Sequence, residues 1–219
     1  MRLTKNEMRQ ALRLYAVTDR RWLPTAHSLR EVVASVLDSG ATMLQIREKE
    51  LDDAIFLDEI RTLQELCTKK GVPCIVNDRV ELAIRAGADG VHVGQSDIMG
   101  RDIRAMIGPD RILGITAKTV AQARAAETSG ADYIGTGAVF GSSTKTDALA
   151  MSVEQFRAIT DAVHIPVVAI GGIHADNVRQ LAGSGAAGIA VVSGIFASGN
   201  PKAAAAELRK LSDELFSAR

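Results

Sequence analysis

The residues best placed to do chemistry fall in two short charged runs. In Gln45-Ile46-Arg47-Glu48-Lys49, the residues Gln45, Arg47 and Lys49 alternate, so an extended backbone would point all three the same way. Arg47 offers a planar fork of donors and Lys49 a point charge, and both suit phosphate oxygens. A solvated strand end with its cations paired to Glu48 or Glu50 fits the same spacing. The second run is Asn77-Asp78-Arg79, joined by Asp97 beyond His92 and Gln95. Two hard oxygen ligands facing a pyrophosphate describe a magnesium site with water filling the octahedron. Each carboxylate could instead cap a helix or close a turn, and Asp78 directly precedes a helical pattern over 80–86. Their shared face favours the metal.

Three further segments could hold an anion. The stretch Gly135-Thr-Gly-Ala-Val-Phe-Gly-Ser-Ser-Thr-Lys-Thr-Asp147 is long and polar for a connector. Ser142, Thr144 and Lys145 in it could close over a phosphate as a lid, or it could be a plain surface loop. Gly171-Gly172 and Val192-Ser193 suit phosphate held on backbone N–H groups, with tight turns as the alternative. His92 lies within a strand, His27, His164 and His174 are scattered, and none is assigned to catalysis or metal. Cys67 and Cys74 form no CxxC pair and are expected as buried structural thiols.

The elements that must position these residues are apolar runs of strand type. They are Leu14–Val17, Thr42–Ile46, Cys74–Val76, Gly90–Val93, Ile112–Ile115, Tyr133–Gly135, Val167–Ile170 and Gly188–Val191. Stretches of helical period lie between them, among them Leu29–Leu37, Asp53–Lys69 and Val178–Ala182. Strands alternating with helices imply parallel βα units, and eight such units imply one closed (βα)8 TIM barrel of the α/β class. Gly-Ala pairs at Gly40, Gly87, Gly130 and Gly185, spaced by 47, 43 and 55 residues, mark a faint fourfold repeat, each ending a helix ahead of an even-numbered strand. Residues 1–11 are expected to form an extra helix and 12–219 the barrel, with 201–218 its last outer helix. The polar residues named above then follow the strands, on the face where such barrels place their sites.

Composition narrows the partners. The 219 residues carry 26 basic and 26 acidic side chains, which argues against a nucleic-acid or anionic-membrane surface partner. No apolar run approaches the ~20 residues of a membrane helix and no signal core opens the chain. A cytoplasmic location is the default expectation, and a homo-oligomer is compatible with the sequence.

Together these segments resemble thiamine-phosphate synthase. The matching runs are Leu14-Tyr-Ala-Val-Thr-Asp19, Gln45-Ile-Arg-Glu-Lys49, Val76-Asn-Asp-Arg79, Ala88-Asp-Gly-Val-His-Val-Gly94 with Gln95 and Asp97, Gly130-Ala-Asp-Tyr-Ile-Gly135, Ser142-Ser-Thr-Lys145 and Ile165-Pro-Val-Val-Ala-Ile-Gly-Gly-Ile173. The resemblance implies a barrel that joins hydroxymethylpyrimidine diphosphate to a thiazole phosphate, releases pyrophosphate and uses one magnesium ion. It implies that Gln45, Ile46, Arg47, Glu48, Lys49, Asn77, Thr116 and Lys145 contact the pyrimidine diphosphate. Of these, Arg47, Lys49, Lys145 and Thr116 would act in catalysis. By the same resemblance Asp78 and Asp97 bind the metal, and Ser142, Ser143, Thr144, Gly172, Val192 and Ser193 hold the thiazole phosphate.

The chain departs from that pattern at three places. Gly141-Ser142 stands where the family usually has Pro-Thr, Thr116 where serine is usual, and Lys118 where histidine is common. A paralogous group of similar barrels acts as a thiazole tautomerase through a histidine near that last position. Such paralogues tend to lose the diphosphate and metal residues, which this chain keeps, and an exposed lysine is a poor base. A barrel that binds a thiamine precursor without turnover is the remaining alternative.

Overall fold

The computed structural model describes residues 3–23, 28–141 and 151–217. Eight strands alternate with helices: β1 (Leu14–Val17), β2 (Met43–Ile46), β3 (Cys74–Asn77), β4 (Gly90–Val93), β5 (Ile112–Thr116), β6 (Tyr133–Gly137), β7 (Val167–Ile170) and β8 (Gly188–Val191). Each pairs in parallel with its neighbours in sequence, and β1 pairs with β8 to close the barrel. The helices among the described residues are α1 (Lys5–Ala11), α2 (Leu29–Asp38), α3 (Asp53–Lys70), α4 (Val80–Ala86), α5 (Ile103–Ile107), α6 (Val120–Thr128), α7 (Val153–Asp161), α8 (Ser193–Phe196) and α9 (Pro201–Phe216). The expected helix over Val178–Ala182 is a short 3₁₀ turn, Val178–Leu181. Gly183 and Gly185, both at positive φ, stop it before an α-helix can propagate. Among the described residues no helix is long and apolar enough to cross a membrane.

Strand side chains alternate between two cores. Leu14, Ala16, Leu44, Ile46, Val76, Val91, Leu113 and Ile134 face the surrounding helices. Tyr15, Val17, Met43, Ile75, Ile112, Tyr133, Val168 and Ala190 fill the barrel itself. The inner set also includes Met8, Ala11 and Leu12, so α1 plugs the amino end. A capping box between Thr4 and Glu7 starts that helix, satisfying backbone donors that would otherwise be orphaned.

The Gly-Ala repeat has a physical basis at this amino end. Gly40, Gly87, Gly130 and Gly185 all have positive φ, as helix ends of this kind require. The residue two places after each glycine tells more. Thr42, Asp89 and Asp132 use side-chain oxygens to accept the N–H groups of Leu14, Cys74 and Leu113 at 2.8, 2.9 and 2.8 Å. Each even strand thus ties down the start of the odd strand before it. The fourth unit has Ala187 at this place and lacks the side chain to do so. Arg104 completes the arrangement by bonding Asp132 and the carbonyls of Gly108, Arg111 and Gly130. Cys67 and Cys74 are free and buried, as expected.

Candidate functional site

At the carboxyl ends of the strands, charges meet across neighbouring loops. Asp19, just past β1, is 3% exposed and accepts bonds from Arg21 and, at 3.0 Å, from Arg47 Nη1. Burial by itself raises the Asp19 carboxyl. The Arg21 hydrogen bonds and the charges of Arg21 and Arg47 outweigh it and hold the group below the ordinary carboxylate range. Lys49 Nζ lies 2.5 Å from Asp78 Oδ2, at the end of β3. The cations of the β2 run are therefore paired, but to Asp19 and Asp78 beyond the flanking strands β1 and β3 rather than locally to Glu48 or Glu50.

Glu48 has turned inward. Its carboxylate accepts from Arg20 Nε at 2.9 Å and from the backbone N–H groups of Lys49 and Glu50. Burial raises this carboxyl too, but the Arg20 bond and the two backbone bonds bring it below its usual value. Glu48 thus shapes the loop that presents Lys49. Ile46 is fully buried among the residues that face the helices, so only its backbone is left for a ligand. Gln45 points into the barrel and donates from Nε2 to the Tyr15 hydroxyl at 2.7 Å.

Asp78 has φ 60, the sole positive φ outside glycine among the described residues. This conformation is costly for a side chain with a Cβ. The helix-capping alternative does not hold, because Arg79 occupies the N-cap of α4 and makes no side-chain cap bond. Asp97 does close a turn, accepting Gly94 N–H at 2.8 Å on Oδ2. Asn77 ends β3 beside His92 on β4. Asp78 N–H donates to the His92 carbonyl at 2.9 Å, which ties the end of β3 to β4, the strand that leads to Asp97.

Thr116 ends β5. Its hydroxyl lies 3.0 Å from His92 Nε2, and its carbonyl accepts from Gln95 Nε2 at 2.6 Å. His92 Nδ1 lies 3.0 Å from the Tyr133 hydroxyl, which lies 2.7 Å from that of Tyr15. The histidine left unassigned from sequence is therefore within bonding distance of Thr116 and, through Tyr133, linked to Tyr15; these two are the chain's only tyrosines. Burial pushes both phenols well up, so both remain protonated donors. The sequence signal for this cluster was a polar residue inside a strand opposite the glycines of β5 and β6.

On the far side of the mouth, β7 and β8 end beside one another. Gly171 and Gly172 have φ 107 and 63. A Cβ on Gly172 would come within 2.7 Å of the Phe140 carbonyl oxygen, so the loop after β6 leaves room only for glycine. Asn177 Nδ2 donates to the Gly172 carbonyl at 2.7 Å and pins the turn. Val192 is the N-cap of α8, whose first residue is Ser193. Ser142, Ser143, Thr144 and Lys145 lie outside the described residues.

Comparison with known proteins decides the family. The family model for thiamine monophosphate synthase matches residues 14–195. The chain belongs to that family. It is 45% identical over 198 residues to the thiamine-phosphate synthase of Ruminiclostridium cellulolyticum, covering 90% of this chain and 94% of that one. The Methanobrevibacter smithii enzyme of the same name is 40% identical, over 91% of this chain and 94% of its own. Among solved structures, the thiamine phosphate pyrophosphorylase of Pyrococcus furiosus superposes with a TM-score of 0.86 at 38% identity, covering 95% of this chain and 98% of that one. The geranylgeranylglyceryl phosphate synthase of Thermoplasma acidophilum, at 14% identity and a TM-score of 0.69, shares the fold alone.

Proposed function

We propose that this member of the thiamine monophosphate synthase family joins 4-amino-2-methyl-5-hydroxymethylpyrimidine diphosphate to a thiazole phosphate, yielding thiamine phosphate and pyrophosphate. The observation that most supports this reading is the row Asp19, Arg47, Lys49 and Asp78 across β1, β2 and β3, in a chain 45% identical to a thiamine-phosphate synthase. It is a reserve of charge at the mouth with no bonded role inside the barrel. When a diphosphate enters, Arg47 and Lys49 can exchange their carboxylate partners for phosphate oxygens.

The reaction breaks the bond between the pyrimidine methylene and its diphosphate oxygen. The bonding pair leaves with pyrophosphate, and the aminopyrimidine ring delocalises the cation that remains. The thiazole nitrogen then supplies its lone pair to the methylene carbon. No protein nucleophile is required. Arg47, Lys49 and Lys145 balance charge as it collects on the leaving group, and Thr116 and Asn77 fix its position. The thiazole phosphate is held by Gly172, Val192, Ser193 and the segment Ser142, Ser143 and Thr144, which keeps the nitrogen aligned.

Asp78 and Asp97 are the residues to hold magnesium. Among the described residues no cluster of three or more acidic, histidine or cysteine side chains is assembled for a metal. A pair of carboxylates completed by water and substrate phosphate is the donor set that magnesium takes in such sites. The strained Asp78, with no capping duty, fits that use. When bound, the ion neutralises diphosphate charge.

The test is product formation by the purified protein with both phosphorylated substrates and magnesium. Thiamine phosphate and pyrophosphate are expected in equal amounts. Isomerisation of a thiazole carboxylate phosphate is expected near background, because Lys118, exposed after β5, stands in place of the tautomerase histidine. Robust isomerisation without coupling would overturn the assignment.

A further inference from the structure

A single hydrogen-bonded chain crosses the barrel interior, from Gln45 on β2 through Tyr15 on β1, Tyr133 on β6 and His92 on β4 to Thr116 on β5. Both its ends are residues read above as contacts of the pyrimidine diphosphate, and the inference rests on that reading. Its middle is closed off: Tyr15 is 1% and Tyr133 0% exposed. The barrel has been cleared to make room for it. A Cβ at Gly114 would fall 2.2 Å from Tyr133 Cζ and 2.5 Å from His92 Nδ1, and one at Gly135 would fall 2.9 Å from His92 Cε1. The two tyrosine rings meet edge to face, with centroids 5.8 Å apart.

The polarity of the chain follows from its first bond. The Gln45 amide N–H donates to the Tyr15 oxygen, so the Tyr15 hydroxyl proton must find another acceptor, and Tyr133 is the one in reach. With Tyr133 as the donor to His92 Nδ1, 3.0 Å away, a neutral imidazole would carry its proton at Nε2 and donate it to the Thr116 oxygen, also 3.0 Å away, leaving the Thr116 proton to donate outward. Reversing the amide of Gln45 would reverse every bond, and Thr116 would then give its proton to His92 and offer only lone pairs to the mouth.

We propose that His92 is a positioning residue: with Tyr133 it fixes the Nε2–H tautomer, so that the Thr116 hydroxyl donates to an oxygen of the substrate diphosphate. Diphosphate oxygens only accept, so the opposite polarity would set lone pair against lone pair. Because the bonds polarise one another along the chain, Tyr133 acts on the leaving group without touching it.

Two measurements test this. The first is nitrogen NMR of the His92 ring in the unliganded protein, which requires no assumption about substrate. The Nε2–H form is expected in the wild type, with loss of its dominance in Tyr133→Phe. An Nδ1–H form in the wild type overturns the proposal. The second is a double-mutant cycle on coupling, with Thr116→Ala, Tyr133→Phe and the pair. Tyr133→Phe is expected to lower kcat about ten-fold with KM for thiazole phosphate unchanged, and to cost nothing further once Thr116 is alanine. A merely structural role would lower thermal stability while its kinetic losses added to those of Thr116→Ala, and that result overturns the proposal. A wild type that holds the Nε2–H form yet forms no thiamine phosphate would instead refute the assigned reaction, leaving the polarity of the chain established.

Discussion

The two ends of this barrel use the same residue types in opposite ways. At the amino end Asp89 and Asp132 are bound to the backbone, accepting strand N–H groups, and Arg104 joins Asp132 to three carbonyls. At the carboxyl end Arg47 and Lys49 face Asp19 and Asp78 across gaps between loops, and Lys49 is half exposed. The exposed Lys49 pair contributes little to stability; the Arg47–Asp19 pair is largely buried, at 13% and 3% exposure, but both join charge to charge and can be exchanged for phosphate oxygens. Charge tied to backbone holds a fold together, whereas charge tied to charge can be lent to a ligand. The prediction is that one end governs melting and the other governs rate.

The largest effect should come from Arg47→Ala. Removing one charge-stabilising donor from a leaving group costs roughly 3–4 kcal/mol in the barrier, so kcat/KM for coupling is expected to fall about 10²–10³-fold. Thermal stability should fall less than the rate: the Arg47–Asp19 pair is largely buried, but Asp19 keeps its bonds from Arg21. A large drop in melting temperature at near-normal activity would break the comparison. Asp97→Asn should act in the same direction with a further signature. A neutral amide is a weaker ligand for a hard cation, so its loss of rate should shrink as magnesium is raised. Unchanged activity at limiting magnesium would remove Asp97 from the metal site.

The next effect belongs to the opposite end. Asp132→Ala takes the carboxylate from a largely buried Arg104, which keeps its carbonyl partners, and the acceptor from the Leu113 N–H. Losing that charge partner and leaving the N–H unpaired costs about 2–3 kcal/mol. Denaturant unfolding should report this loss, while kcat for coupling stays within about two-fold of wild type. A catalytic defect larger than the stability defect would mean that the amino end is not the passive frame described above.

How much of this was legible in the sequence depended on range. The eight strands stood out because each is a short apolar run, and the fourfold glycine repeat because its period is a local matter. The position of Thr116 at the end of its strand, and of Asp78 and Asp97 beyond theirs, was equally local. What sequence could not supply was pairing across loops. Glu48 and Glu50 were the acids nearest in sequence to Arg47 and Lys49, but Asp19 and Asp78, some 28 and 29 residues away, became their partners. Sequence proximity lost because neighbouring parallel strands bring their ends together whatever the helix between them. The contacts of His92 were hidden for the same reason: they exist only where β5 and β6 bring Thr116 and Tyr133 against it. The segment carrying Ser142 to Lys145 lies outside the described residues, so its part in the site rests on sequence alone.

The smallest expected effect concerns the pair of Arg20 with Glu48. Arg20 caps Glu48 from solvent and is itself 42% exposed, so the pair is worth at most about 0.5–1 kcal/mol. Its pH dependence has a definite sign. The Glu48 carboxyl titrates below its usual value in the folded protein, so the unfolded chain binds the proton more readily. The stabilisation is therefore fully present above the unfolded value, about pH 4.3, and is lost as pH falls through the lower folded value. Arg20→Ala should thus be less stable than wild type at neutral pH, and the difference should close in acid, once Glu48 is protonated in both. Stability curves for the two proteins between neutral pH and about pH 3 check this. A gap that persists in acid would assign the contribution of Arg20 to packing of its aliphatic stem instead of its charge. The loop that carries Lys49 would then be held by the two backbone bonds to Glu48 without help from the ion pair.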